Sequence, residues 1–257
     1  STLLASSAAS DVYKRQIEPP ALYNLTELQK DANNYYGMTA GKSLEIAQKL
    51  YEKKLISYPR TSSRFLSRDV YDRLPSTMEK ILNRKEFRPY VRTMGINIFD
   101  LPDRVVDEER VAEHHAIIIT NMYPEALERE EMQLYLMIIG RMLEAFMPAC
   151  KVEYTTVDAI CAARNFRCHT YRIIEKGWFG IFEREDEIAG QQYHPISIPE
   201  LKNGETVTVT GCNLIHKKDL PVSAYTDAGL IEYMDTAGLG TVATRTGILQ
   251  TLIDRKS

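Results

Sequence analysis

The sequence predicts an α+β fold, and three changes of pattern along its 257 residues predict it. Apolar residues recur at helical spacing from Thr26 to Phe146. They alternate with a period of two from Val152 to Val209, and helical signals resume after Ser223. A chain 44% hydrophobic can bury a sizeable core, and its longest apolar runs fall far short of the ~20 residues of a membrane helix. The net charge of −3 lends no global support to a nucleic-acid partner, so local charge must carry any such argument. Four cysteines without a C-x-x-C pair predict reduced thiols, neither a zinc ribbon nor a disulfide framework.

Residues 1–16 are rich in Ser and Ala, and Asp11 to Gln16 resemble the in-frame translation of a transposon end used in sequencing libraries. This segment is read as an artefactual or disordered tail outside the fold. After Pro19-Pro20 a first helix is expected, with Thr26 as its cap, Gln29 completing a capping box, and Gly37 as its stop. Thr39 caps a second helix, whose stripe Ala40, Leu44, Ala47, Leu50 and Tyr51 runs to Lys54. Lys53 and Lys54 suit either the helix dipole or a phosphate.

There follows Leu55-Ile56-Ser57-Tyr58-Pro59-Arg60-Thr61-Ser62-Ser63. Proline restricts the residue before it, so Tyr58 is expected on a stiff extended turn just past a helix end. A tyrosine attacking phosphorus requires positive charge or a base to favour its phenolate. Arg60 supplies a planar guanidinium for phosphate oxygens, and Thr61 and Ser63 supply small donors. With fifteen tyrosines in the chain, an ordinary amphipathic aromatic is the competing account of Tyr58.

From Ser67 to Arg92 a helix broken or kinked at Pro75 is expected, with Tyr71, Leu74, Met78, Ile81 and Leu82 as its stripe. An irregular connection leads to His114-His115-Ala116-Ile117-Ile118-Ile119-Thr120. Two adjacent histidines without a third ligand make a poor metal site. A buried helix follows Tyr123-Pro124-Glu125 and runs to Pro148. Lys151 to Leu220 are read as a mainly antiparallel β unit, in which Trp178 packs in the core in preference to stacking a base. Thr226 caps the next helix, and Gly238-Leu239-Gly240-Thr241 opens the last one. Glycines there let the backbone approach an anion, and a helix N-terminus presents unpaired N–H donors.

Three of these stretches together resemble the type IA DNA topoisomerases, topoisomerase III branch. They are the run from Tyr23 to Ser63, His114 to Thr120 (the family's "HHAIIPT"), and Gly238 to Arg245 (the family's "GIGTPATRA"). Ser62 stands where the family usually has an acidic residue, and Ile119 and Val242 stand where it has proline. The resemblance spans about Ala21 to Arg255 and implies a fragment of the family's toroid. Residues 17–150 would be a helical gate domain carrying the catalytic tyrosine, residues 151–222 part of a β-rich arch, and residues 223–257 the start of a helical strand-binding domain.

It further implies cleavage and resealing of single-stranded DNA through a transient 5′-phosphotyrosine, without ATP. Tyr58, Arg60 and His114 would be catalytic. Lys54, Thr61, Ser63, Gly240, Thr241, Thr244 and Arg245 would bind DNA. The Mg²⁺ of the complete enzyme would be held by a TOPRIM domain absent from this chain, which itself would bind no metal. A cytoplasmic monomer working with that TOPRIM domain, away from membranes, is the implied setting. Two alternatives remain open: an inactive single-strand-binding module, and a tyrosine relaxase or recombinase.

Overall fold

The computed structural model describes residues 3–82, 97–98, 100–111, 113–182 and 225–255, together with 202, 204–209, 211 and 213–214. The chain divides into two compact units. One comprises Ser1–Pro19 with Pro148–Val222, the other Pro20–Met147 with Ser223–Ser257.

The first unit is a four-stranded antiparallel sheet in the order β3-β2-β1-β4. Its strands are β1 (Leu3–Ile17), β2 (Cys150–Cys161), β3 (Arg164–Glu175) and β4 (Thr206–Val209). The segment expected to be a tail is thus an interior strand, pairing from Ala5↔Cys161 to Ile17↔Cys150 on one side and from Leu3↔Val209 to Ser6↔Thr206 on the other. Cross-strand chemistry explains how it is held. Tyr13 stacks on Tyr154 with ring centroids 5.0 Å apart, and the indole N–H of Trp178 donates to the Ile17 carbonyl at 2.9 Å. Ser- and Ala-rich composition argued against a strand, but pairing on both edges satisfies the backbone whatever the side chains are.

Trp178 is buried in a 3₁₀ turn, Gly177–Gly180, as its packing account required. Gly177 is obligatory there. Its φ is +49°, and a Cβ would lie 2.5 Å from the Pro148 and Ala149 carbonyl oxygens.

The second unit is helical. Its elements are α1 (Leu25–Tyr36), α2 (Ala40–Glu52), α3 (Arg68–Tyr71), α4 (Leu74–Leu82), α5 (Arg129–Phe146), α6 (Asp227–Thr236) and α7 (Arg245–Arg255). Asn24, not Thr26, caps α1, accepting from the Glu27 N–H. Thr26 and Gln29 are instead buried within the helix. Gly37 ends α1 in the left-handed region, and Thr39 and Thr226 cap α2 and α6 as their sequence positions predicted.

The expected helix around Pro75 is two helices that meet at Asp72-Arg73, with Pro75 in the first turn of the second, where its missing N–H costs nothing. Leu74 and Met78 are buried. The side chains of Ile81 and Leu82, and the continuation to Arg92, lie outside the described residues.

Leu28, Leu50, Leu134, Ile138 and Met142 are among the core residues of this unit. A charged knot accompanies them. Arg141 donates to Asp31 at 2.6 Å, Tyr23 donates to the same carboxylate, and the guanidinium lies 4.4 Å from the Tyr23 ring centroid. Residues 225–255 pack within this unit, α6 on α1 and α7 on α2.

Candidate active site

Helix α2 determines where Tyr58 sits. The helix ends in a Schellman motif: the Lys54 N–H donates to the Tyr51 carbonyl at 2.8 Å and the Leu55 N–H to that of Leu50 at 2.9 Å. Lys54 occupies the left-handed position at φ +60°, a place usually given to glycine. The chain then leaves the helix as an extended segment paired with the His-His stretch. Ser57 donates its N–H to Ile118 and Thr120 donates its own to Leu55, with Ile56 and Ile119 bridged between them. The Ser57 hydroxyl adds a second clamp, donating to the Ala116 carbonyl and accepting from the Ile118 N–H.

These pairings bring Tyr58 against His114. The two ring centroids are 4.3 Å apart at 47°, and Tyr51 packs against Tyr58 in a T-shape with centroids 5.4 Å apart. Tyr58 is half-buried, while His114 and Arg60 are exposed. Among the described residues Arg60 has no ion-pair or hydrogen-bond partner, so its guanidinium is available to an anion. Lys54 is likewise exposed, with its ammonium unpaired among the described residues.

Thr61 and Ser63, expected as phosphate donors, are buried and otherwise engaged. The Thr61 hydroxyl donates to the His114 carbonyl at 2.8 Å, and the Ser63 hydroxyl donates to the Arg110 carbonyl at 2.8 Å. Their protons are engaged by backbone carbonyls, and both side chains shape the turn. Sequence reasoning missed Asn24, whose Nδ2 donates to the Ser62 carbonyl while the Leu25 N–H donates to that of Thr61. An Asn immediately before an apolar helical run was the signal that identifies such a cap.

Lys53 is also structural. It donates to both oxygens of Glu131 at 2.7 Å, and Glu131 accepts from the Glu128 N–H to close the capping box of α5. Burial raises the Glu131 pKa, but the bonds from Lys53 and from the Glu128 backbone outweigh it and hold the carboxyl below its ordinary value.

The glycine loop is built from α6 and α7. Gly238 and Gly240 take φ near +65°, and a Cβ on Gly240 would lie 3.0 Å from Ile248 Cδ1. Gly240, Thr241 and Thr244 are exposed at the N-terminus of α7. Thr244 accepts from the Thr241 N–H at 2.8 Å and so acts as a local cap. Arg245, expected to bind DNA, is buried. It donates to the carbonyls of Leu239 and Gly240 and to Thr26, and pairs with Asp235. These contacts fasten the glycine loop to α1 and α6. Both the tyrosine turn and the glycine loop are therefore fastened to the first turns of α1, the former through Asn24 and Leu25, the latter through Thr26 and a bond from Gln29 to Thr246.

Among the described residues no group of three or more His, Cys, Asp or Glu side chains is placed to hold a metal ion, and no helix is long and apolar enough to cross a membrane.

A family model described as DNA topoisomerase matches residues 7–256 of the chain. DNA topoisomerase 3 of Bacillus licheniformis is 31% identical over 257 aligned residues, and that of Bacillus subtilis (strain 168) is 32% identical over 258. Both alignments cover 91% of this chain, which spans only 35% of the length of either relative. Full-length topoisomerase I from Thermotoga maritima has a similar fold, with a TM-score of 0.69 at 20% identity over 98% of this chain and 41% of that one.

Proposed function

Because the chain belongs to the type IA DNA topoisomerases, we propose that it is the part of such an enzyme that carries the nucleophile, Tyr58. The supporting observation is the Tyr58–His114 contact, a half-buried phenol against an exposed imidazole, with the exposed Arg60 two residues along the chain and without a partner among the described residues. In the proposed reaction the phenolic oxygen attacks a phosphodiester of single-stranded DNA in line. The P–O3′ bond breaks, the 3′ oxygen leaves with a proton as a hydroxyl, and the phenol's proton passes to solvent or a base.

Arg60 would hold the non-bridging oxygens, and His114 would donate to the charge that develops on them. The product is a 5′-phosphotyrosine. Its reversal reseals the strand without ATP, since the ester retains the bond energy. Strand passage between the two steps changes DNA topology. The Mg²⁺ expected for the complete enzyme has no fitting ligand set among the described residues, and no step here is routed through it. A TOPRIM domain supplied by the longer protein, in a cytoplasmic monomer, completes the proposal.

The test joins this chain to a TOPRIM domain and traps labelled single-stranded DNA on a denaturing gel. The native tyrosine should give an adduct linked through the 5′ phosphate, and Tyr58→Phe should give none. An adduct that persists in Tyr58→Phe, or one linked through the 3′ phosphate, removes Tyr58 from this role.

A further inference from the structure

The stretch after His114 presents its backbone N–H groups to two partners in alternation. The Ile118 N–H donates to the Ser57 hydroxyl and the Thr120 N–H to the Leu55 carbonyl, so the tyrosine segment is laid along one edge. The other two N–H groups have different partners. That of Ile117 donates to the Tyr23 carbonyl at 2.8 Å, and that of Ile119 to the thioether sulfur of Met142, on α5, at 3.3 Å. Ile119 is itself bridged to Ile56, two residues before Tyr58.

The sulfur bond stands apart from the rest of this set. A thioether is a weak acceptor, whereas a buried backbone donor ordinarily meets a carbonyl. Ile119 and Met142 are 3% and 2% exposed, and among the described residues no other acceptor meets the Ile119 N–H. Ile119 also stands where the type IA family has proline, a residue with no N–H to satisfy. Isoleucine brings a buried donor to this position, and Met142 receives it.

We propose that Met142 is a positioning residue for the reaction of Tyr58, anchoring through the Ile119 N–H the stretch against which the tyrosine segment is laid. The consequence for rate rests on the reading of Tyr58 given above; the anchor itself does not. Without the sulfur, the Ile119 N–H is buried and unpaired, and the stretch shifts toward another acceptor or admits water. Ile118 and Thr120 move with it, and they carry Ser57 and Tyr58 along. A misplacement of about 1 Å at the reacting atoms lowers rate about 100-fold, so a shift of about half that lowers it about tenfold.

The test compares Met142→Leu, Ile119→Pro and the double variant. Leucine keeps the volume and removes the acceptor. Proline removes the donor, and it spares the pairing with the tyrosine segment because that pairing does not use the Ile119 N–H. In the chain joined to a TOPRIM domain, Met142→Leu should slow single-turnover adduct formation about tenfold and leave the Kd for single-stranded oligonucleotide unchanged. In the Ile119→Pro background the same substitution should change the rate less than about twofold. In the 257-residue chain, Met142→Leu should speed hydrogen exchange of the Ile119 amide about fivefold, the worth of one hydrogen bond.

Equal slowing in both backgrounds assigns the effect to packing and overturns the proposal. A native rate in Met142→Leu, or unchanged exchange at Ile119, overturns it as well. If Ile119→Pro does not fold, the exchange measurement decides by itself. An adduct formed by the native protein with exchange indifferent to Met142→Leu sinks the anchor alone; no adduct, with exchange responding as expected, sinks the tyrosine reading and leaves the anchor.

Discussion

The hydroxyl of Thr61 donates to the carbonyl oxygen of His114 at 2.8 Å, and so ties the turn that carries Tyr58 to the residue on which its ring rests. The Thr61 hydroxyl oxygen in turn accepts from the Ser63 N–H. Thr61→Val keeps the shape and removes both bonds, leaving two buried polar groups that cost about 1–3 kcal/mol each. A displacement on the order of 1 Å at the reacting atoms lowers rate about 100-fold, so adduct formation should slow by about that factor. Thr61→Ser, which keeps the hydroxyl, should stay near native. Single-turnover trapping alongside thermal melting checks both variants.

Lys54 sets backbone strain against charge. A lysine at φ +60° pays about 1–2 kcal/mol that glycine does not, partly offset by the greater freedom glycine has when unfolded. Lys54→Gly should stabilise the helical unit by about 0.5–1 kcal/mol. Affinity for single-stranded oligonucleotide should move the other way, with the slope of log K against log salt shallower by about 0.7. Melting curves and a salt series on one preparation of each protein measure the two effects together.

Arg245→Lys separates a positioning arginine from a phosphate ligand. Lysine retains the charge but not the fork that reaches Leu239, Gly240, Thr26 and Asp235. The expected outcome is a loss of about 2 kcal/mol in stability and weaker strand binding with the salt slope unchanged. Near-native affinity and stability in Arg245→Lys would return the residue to direct contact with phosphate.

Glu131 makes the helical unit sensitive to acid. Its carboxyl titrates below the ordinary value in the folded chain, so the unfolded state binds the proton more readily. The Lys53–Glu131 contribution is therefore full above the unfolded carboxyl pKa of about 4.3 and is lost as pH falls through the lower folded value. The melting temperature should drop on acidification below about pH 4.5, and Glu131→Gln should flatten that part of the profile. Melting scans of both proteins from neutral pH to pH 3 provide the comparison.

Local patterns in the sequence made several elements legible. The caps at Thr39 and Thr226, the stop at Gly37, the strands after Cys150 and the burial of Trp178 follow from caps, periodicity and turn residues, whereas the helix expected after Tyr123-Pro124-Glu125 begins only at Arg129. What escaped was set by partners distant in sequence. β1 is a strand because β2 and β4 pair with both its edges, which its small residues do not announce. Thr61, Ser63 and Arg245 have the right chemistry for phosphate, yet carbonyls brought from His114, Arg110 and Leu239 claim them first. Polar side chains near a reactive group advertise capacity, and only packing decides where it is used.

The first turns of α1 grip both the tyrosine turn and the glycine loop through direct hydrogen bonds. On the proposed reading, the helix serves as a ruler. The interval between the point where the strand is held and the point where it is nicked would be a fixed count of nucleotides, constant from one substrate to the next. Footprints aligned on the scissile linkage should share one upstream boundary, whatever bases lie between.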